Sequence, residues 1–110
     1  MKFAVPVAQG VLCPHFGHCE QFAIIEADDG QIKNKELLIP PPHEPGVLPR
    51  WLSDLGVEVI IAGGMGRRAL DLFAQKGIRV EIGAPSAPPE EVVAQYLKGS
   101  LITGQNICDH

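Results

Sequence analysis

The sequence has 110 residues, of which 45% are hydrophobic, and this size and composition fit one globular domain with a single core. A net charge of -4 at pH 7 argues against a nucleic-acid binder, because such a protein normally carries a basic face. Three cysteines, an odd number, argue against the disulfide framework of a small secreted protein and favour a reducing, cytoplasmic setting, and no apolar stretch is long enough to span a bilayer.

Three strands are predicted in the first half of the chain. Residues 3–8 form an apolar run that is typical of a strand buried on both faces. Pro6 lies inside this run, and since proline has no backbone N–H to donate, the strand must lose pairing with one neighbour near that residue. Residues 22–27 and 32–39 predict a hairpin, because the turn sequence Asp28-Asp29-Gly30 follows the first of them.

The second half of the chain alternates helices with strands. A first helix is predicted from four apolar residues at helical spacing, namely Leu48, Trp51, Leu52 and Leu55. Residues 57–62 and 78–82 are apolar runs that predict buried strands, and the helix between them ends at Gly77. A last helix is predicted over residues 90–98, with Ser86 as its N-cap.

The order of these elements predicts an α/β fold. Right-handed crossovers between the later strands give a three-layer α/β/α arrangement around a five-stranded mixed sheet in the order 3-2-1-4-5, with strand 2 antiparallel. This single domain is expected to cover residues 1–99, with a C-terminal tail over residues 100–110. The loops after strands 1, 3, 4 and 5 would meet at one edge of the sheet, which predicts a ligand site between the carboxyl ends of strands 1 and 4.

The loop after strand 1 is the first candidate site, with the sequence Cys13-Pro14-His15-Phe16-Gly17-His18-Cys19-Glu20. Thiols and imidazoles are soft ligands, which favour a transition metal or a metal-sulfur cluster over a hard cation. The candidate metal ligands are Cys13, His15, His18 and Cys19. At most two or three of them can serve in one tetrahedral site, with His43, Cys108 or His110 completing the shell. The alternative is that the cysteines are small buried side chains and the histidines cap loop carbonyls.

A second candidate site is the glycine-rich turn Gly63-Gly64-Met65-Gly66-Arg67, where a strand leads into a helix. Backbone N–H groups at such a helix start can receive an anion, and a thiometallate or a cluster sulfide would qualify. The turn lacks the lysine and hydroxyl of a phosphate-binding loop and the spacing of a dinucleotide fingerprint. The alternative is that the glycines only permit a tight turn, and that Arg67 or Arg68 pairs with Asp71 along the helix.

Several segments of the sequence occur together in a known family. They are Lys2-Phe3-Ala4-Val5-Pro6-Val7, His15-Phe16-Gly17 with Phe22, His43-Glu44-Pro45-Gly46, and the stretch from Gly56 through Gly63-Gly64-Met65-Gly66-Arg67-Arg68-Ala69 to Ile78. In this order they resemble the dinitrogenase iron-molybdenum cofactor family, a nitrogenase accessory factor-like group that includes the orange protein of sulfate reducers. The resemblance implies a ribonuclease H-like fold with a five-stranded mixed sheet.

The same resemblance implies non-catalytic binding, carriage or assembly of a metal-sulfur cofactor, without covalent attachment. The implied cofactor is of the molybdenum-copper sulfide type or of the iron-molybdenum or iron-sulfur type. His18 is added to the residues carried over by position because of the loop chemistry described above. The candidate cofactor-binding residues are then His15, Phe16, Gly17, His18, His43, Gly63, Gly64, Met65, Gly66 and Arg67.

No enzyme activity is expected from this sequence. A ribonuclease H-type nuclease needs carboxylates on its central strands to hold two metal ions, whereas strand 1 has none and strand 4 has only Glu58. Two alternatives to a cofactor carrier remain. One is an interaction or regulatory module that binds no metal and works with cluster-assembly ATPases, and the other is a simple zinc or iron site.

Overall fold

The computed structural model of the chain describes residues 1–13, 19–41, 46–99 and 101. Within these residues the chain forms six strands, which are β1 (Lys2–Ala8), β2 (Val11–Leu12), β3 (Gln21–Asp28), β4 (Gln31–Leu38), β5 (Val59–Ile61) and β6 (Arg79–Glu81). The helices of the same residues are α1 (Val47–Asp54), α2 (Arg67–Gln75) and α3 (Pro89–Leu97). Each is too short to cross a bilayer as an apolar helix. The five predicted strands correspond to β1, β3, β4, β5 and β6.

The strands form one mixed sheet. Along the sheet the order is β4-β3-β1-β5-β6, and β2 pairs with β1 outside this path. The strand β3 runs antiparallel to both neighbours, as predicted for strand 2, and β5 runs parallel to β1 and β6. The predicted count of five strands is therefore corrected to six, and the additional strand is β2. The difference arises because Gln9 and Gly10 adopt φ values of 55° and 84°, which reverse the chain so that Val11 and Leu12 pair with β1.

Pro6 marks the point at which β1 changes neighbours. The backbone carbonyls of Lys2 and Pro6 point to the same edge of β1, since Glu58 N donates to Lys2 O at 2.9 Å and Cys13 N donates to Pro6 O at 2.8 Å. The nitrogen of Pro6 faces this edge too, because N and O of one residue point the same way in a strand. Pairing with β5 involves Phe3 and Ala4, and beyond Pro6 the edge is taken by β2. The interruption predicted at Pro6 is therefore observed.

Helices cover both faces of the sheet and divide the core into two hydrophobic clusters. The cluster on the α3 side contains Phe3 of β1 together with Val92 of α3. The cluster on the α1 and α2 side contains Ala4 of β1 together with Leu52 and Phe73. Because side chains alternate along a strand, successive residues of β1 enter different clusters. Residues of β1 and of its paired strands that lie on one face therefore pack towards α3. Those on the other face pack towards α1 and α2.

The start of α3 differs from the one that the sequence predicts. Its N-cap is Pro88 and not Ser86. Ala87 N donates to Pro85 O at 2.9 Å, so Ser86 lies in a turn that precedes the helix. Proline is well suited to the first helical position, which Pro89 occupies, because its fixed φ matches the helix and its missing N–H is not needed there.

An ion pair joins the edge strand β4 to the first turn of α3. Lys35 Nζ lies 2.7 Å from Glu90 Oε1, and the two side chains are 35% and 46% exposed. The hydrogen bond from Lys35 lowers the pKa of the Glu90 carboxyl below its ordinary value of 4.5. Because both side chains remain partly exposed to water, screening keeps the contribution of this pair to stability small.

We expect Glu90→Gln to lower the free energy of unfolding by roughly 0.2–1 kcal/mol at pH 7. A carboxyl whose pKa is lowered by folding stabilises the protein above its unfolded-state pKa, and this contribution is lost as the pH falls through the folded-state pKa. The difference between variant and parent should therefore shrink between pH 5 and pH 3. Urea unfolding at several pH values measures it.

Glu91→Gln is the matched control for this experiment. Glu91 lies in the same first turn and receives a hydrogen bond from Gln95 Nε2 at 3.4 Å, which a glutamine could still accept. Both variants lose one negative charge near the helix N-terminus, so that effect is common to the two. An equal loss of stability in both variants would contradict a contribution from the ion pair with Lys35.

Candidate functional site

Three helices begin at one edge of the sheet. The strands β4, β5 and β6 all run in the direction of β1, and α1, α2 and α3 follow them in the chain. The N-termini of the three helices therefore lie at the edge formed by the carboxyl ends of these strands. The segment before α3 is tied to β2 at this edge, because Leu12 N donates to Ala87 O at 2.9 Å. We call this the carboxyl edge.

The two described cysteines lie at the carboxyl edge, on either side of β1. Cys13 N donates to Pro6 O, and Glu20, which follows Cys19, donates its backbone N–H to Val7 O at 3.0 Å. The register of β1 and β2 places Cys13 opposite Pro6, and Pro6 pairs with Phe22 of β3. Paired residues share a face, so Cys13 lies on the face of Phe22, which belongs to the cluster on the α1 and α2 side.

Cys19 packs against the same cluster, so both thiols occupy the face covered by α1 and α2. Cys13 is buried, with 5% of its surface exposed, and Cys19 is half-buried. Burial raises the pKa of the Cys19 thiol from 9.0 to about 11, and the nearby Cys13 adds to this shift. Cys19 is therefore a neutral thiol at pH 7, and it lacks the activated thiolate of a catalytic cysteine.

The glycine-rich turn between β5 and α2 is buried at this edge. Gly63, Gly64 and Met65 are buried, and Met65 belongs to the cluster on the α1 and α2 side. Gly63 O accepts a hydrogen bond from Gly83 N at 2.8 Å, which ties the turn to the loop after β6. This arrangement supports the alternative reading of Gly63 as a packing residue. The turn nevertheless places the start of α2 at the carboxyl edge.

The starts of α1 and α2 differ from the start of α3 in charge. Both α1 and α2 have a glycine N-cap, Gly46 and Gly66, with no acidic residue in the first turn and no side-chain cap from the described residues. In contrast, α3 carries Glu90 and Glu91 in its first turn. A helix N-terminus is positively polarised, so the two starts on one face of the sheet favour an anion.

Arginines add positive charge beside the start of α2. Arg67 and Arg68 are exposed in its first turn. The ion pairs found between described residues join Lys35 to Glu90 and Arg79 to Glu81, so the predicted pairing of either arginine with Asp71 is not formed there. A methyl group placed on Gly66 would meet no atom of the described residues within 4 Å.

The sequence-predicted site residues divide into two groups. The structure brings Cys13, Cys19 and the turn from Gly63 to Arg67 to the carboxyl edge. Seven predicted residues lie outside the described part of the chain, namely His15, Phe16, Gly17, His18, His43, Cys108 and His110. That the loop after strand 1 faces the His43 loop therefore stays a prediction.

Sequence reasoning missed how the ends of the Cys13 to Glu20 stretch are fixed. Gln9 N donates to Glu20 Oε1 at 3.0 Å, which links the β1–β2 turn to the residue before β3. The missed signal was the dipeptide Gln9-Gly10, which forms a two-residue turn of the kind that joins antiparallel strands. With this turn recognised, the sequence would have placed Cys13 after a short strand and not directly after β1.

Comparisons with known proteins agree on a family. A model of the family described as "Dinitrogenase iron-molybdenum cofactor" matches residues 1–99. A relative in Methanocaldococcus jannaschii, protein MJ0580, is 37% identical over 106 residues, which cover 92% of this chain and 89% of the relative.

Solved structures have the same fold. The crystal structure of PH0822 superposes with a TM-score of 0.85 at 28% identity, over 94% of this chain and 96% of that protein. The apo form of the orange protein from Desulfovibrio gigas superposes with a TM-score of 0.76 at 21% identity, over 96% of this chain and 93% of that one. At that identity the likeness to the orange protein shows the fold alone.

We expect Cys19 to react slowly with iodoacetamide in the folded protein. Because burial raises the pKa of Cys19 from 9.0 to about 11, the thiolate fraction at pH 8 falls on the order of 100-fold relative to an ordinary thiol. The rate should continue to rise with pH above 9, and peptide mapping by mass spectrometry measures it. The same chain in denaturant is the control, and a rate that levels off near pH 9 in the folded protein would contradict the raised pKa.

Proposed function

This chain belongs to the dinitrogenase iron-molybdenum cofactor family, and we propose that it binds and carries a metal-sulfur cofactor as its cargo, without catalysing a reaction. The proposed cargo is an anionic cluster of the molybdenum-copper sulfide type or of the iron-molybdenum or iron-sulfur type. The proposed place is the carboxyl edge between β1 and β5, on the face covered by α1 and α2. Cluster-assembly ATPases are the proposed partners for loading and delivery.

The observation that carries this proposal is the charge pattern at the carboxyl edge. The chain has a net charge of -4, yet the first turns of α1 and α2 have no acidic residue, and Arg67 and Arg68 lie in the first turn of α2. Sulfide-rich clusters of molybdenum and iron carry negative charge, which positively polarised helix starts and arginines stabilise. The two thiols of the same face are soft donors that suit metal ions of such a cluster.

The proposed roles of individual residues follow from this placement. Backbone N–H groups from Gly64 to Arg67 would donate to sulfide or oxide atoms of the cargo. Cys13 and Cys19 would offer thiol ligands. His15, His18 and His43 are proposed as imidazole ligands or donors, and Phe16 and Gly17 as lining. The proposed fold assignment is ribonuclease H-like, and support for it comes from the mixed sheet with helices on both faces.

Cofactor uptake tests the proposal. Anaerobic protein mixed with tetrathiomolybdate and copper, or with isolated iron-sulfur cofactor, should gain charge-transfer bands at one equivalent per chain. His15→Ala and His18→Ala should each weaken uptake by about 10-fold or more while leaving the melting temperature nearly unchanged. Uptake of neither cargo would refute the proposal. Capture of a stable protein partner by the metal-free chain would then favour an interaction module.

A single substitution at the start of α2 should change anion binding and helix stability in opposite directions. Gly66 has φ of -67° and ψ of 154°, which any residue can adopt, and a Cβ added there would meet no atom of the described residues within 4 Å. Gly66→Asp should stabilise the fold by about 0.5 kcal/mol, because aspartate is a good N-cap and the unfolded chain loses freedom. The added negative charge should nevertheless weaken uptake of an anionic cluster by about 10-fold.

Gly66→Ser is the matched control, since serine caps the helix without adding charge. It should keep the uptake of the parent protein. Thermal unfolding and spectroscopic titration of both variants give the two readouts. Equal uptake by the aspartate and serine variants would mean that the start of α2 does not contact an anion.

A further inference from the structure

The strand β4 ends the sheet, and among the described residues no other strand pairs with its outer edge. Backbone N–H and C=O groups of successive residues point to alternate edges of a strand. Met1 and Ala27 exchange two hydrogen bonds of 2.8 Å, so the odd-numbered residues of β3 face β1 and the even-numbered ones face β4. Ile24 of β3 pairs with Glu36, whose backbone groups therefore face β3. The residues on either side of Glu36 direct their N–H and C=O groups outward.

These two outward residues are Lys35 and Leu37. Their side chains lie on the α3 face, because their pairing partners in β3 belong to the hydrophobic cluster of that side. Charged side chains, lysine above all, commonly protect the edge of a sheet from pairing. The ion pair with Glu90 neutralises Lys35, while Leu37 is 48% exposed and Ile39, which directly follows β4, is 77% exposed. On this face, the second half of β4 therefore combines outward backbone groups with exposed apolar side chains.

We propose that the outer edge of β4 pairs antiparallel with β4 of a second copy of this chain, with the two-fold axis at Leu37. Paired residues share a face, so the axis must pass through a residue. An axis at Lys35 or Glu36 would set like charges directly opposite each other, which is destabilising. An axis beyond Leu37 would bring Pro41, which has no N–H to donate, opposite Lys35. An axis at Leu37 pairs this residue with its own copy through two hydrogen bonds and sets Lys35 opposite Ile39.

This pairing goes beyond the proposed function and involves no cofactor. The partner strand runs in the opposite direction, so the carboxyl edges of the two copies lie at opposite ends of one continuous sheet. A pairing of about five residues per strand is expected to bury less surface than the roughly 1,200–2,000 Å² of a stable complex. The dimer is therefore weak, and it dissociates on dilution.

Sedimentation velocity of the full chain over a range of concentrations tests the pairing. The parent protein should pass from monomer to dimer between about 10 µM and about 1 mM, because an interface of this size is weak. Leu37→Lys sets two positive charges opposite each other at the axis and removes the apolar pair, so it should weaken dimerisation by about 10-fold or more. Gln75→Lys is the matched control. It adds the same charge at the exposed end of α2, on the other face of the sheet, and should leave dimerisation unchanged.

Amide hydrogen exchange shows which edge pairs, and it needs no variant, so it decides the question even if Leu37→Lys fails to fold. As the concentration of the parent chain rises, exchange at the outward amides of Lys35 and Leu37 should slow several-fold. The amides of Glu36 and Leu38, which face β3, should keep their rates.

Three results would overturn the proposal. They are a parent chain that stays monomeric at every concentration, a Leu37→Lys dimer as stable as that of the parent, and slowed exchange at residues other than the outward ones of β4. If the edge instead binds an extended segment of another protein, the parent chain alone stays monomeric, which is the first of these results.

Discussion

Pro6 has no backbone N–H, and it lies in β1, the strand on which the sheet is centred. A central strand must satisfy both of its edges, so the edge that Pro6 faces cannot continue as a regular ladder with β5. The chain turns at Gln9 and Gly10, and β2 pairs with that edge of β1. There Cys13 N donates to the Pro6 carbonyl. The pairing of β1 passes from β5 to β2 at this residue, and the first cysteine of the candidate site is positioned by the same hydrogen bond.

The position of the candidate site follows from strand direction. Helices that follow parallel strands start at the carboxyl edge, so the fold itself gathers their positively polarised ends there. The three helix ends differ in the charge of their first turns. Glu90 and Glu91 occupy the start of α3, while Gly46 and Gly66 leave the starts of α1 and α2 without acidic caps. Two of the three helix starts thus remain suited to an anion, and both lie on the face that carries the two described thiols.

Much of this arrangement could be predicted from the sequence, because apolar runs and glycine punctuation locate long strands and helices well. The long strands and the helix before Gly77 were found in this way, and the interruption at Pro6 follows from the missing backbone N–H of proline. The two-residue strand β2 was not, since a pair of apolar residues carries no period and only the turn at Gln9-Gly10 signals it. The start of α3 was misplaced because Ser86 is a good cap by type, whereas the Pro88-Pro89 pair fixes the backbone. The histidines of the predicted site depend on loops whose course no periodicity determines.

Partial burial of Cys19 links the fold to the chemistry of the candidate site. A buried thiol resists ionisation, since a thiolate in apolar surroundings loses its hydration, and the raised pKa of Cys19 expresses that cost. Such a thiol is a poor nucleophile and a slow target for oxidation, which argues against both covalent catalysis and redox sensing. A soft cation removes the same cost by supplying the opposite charge directly to sulfur, in competition with the proton. Because a metal ion and the proton compete for the same sulfur, any metal binding at Cys19 would tighten as the pH rises through neutrality.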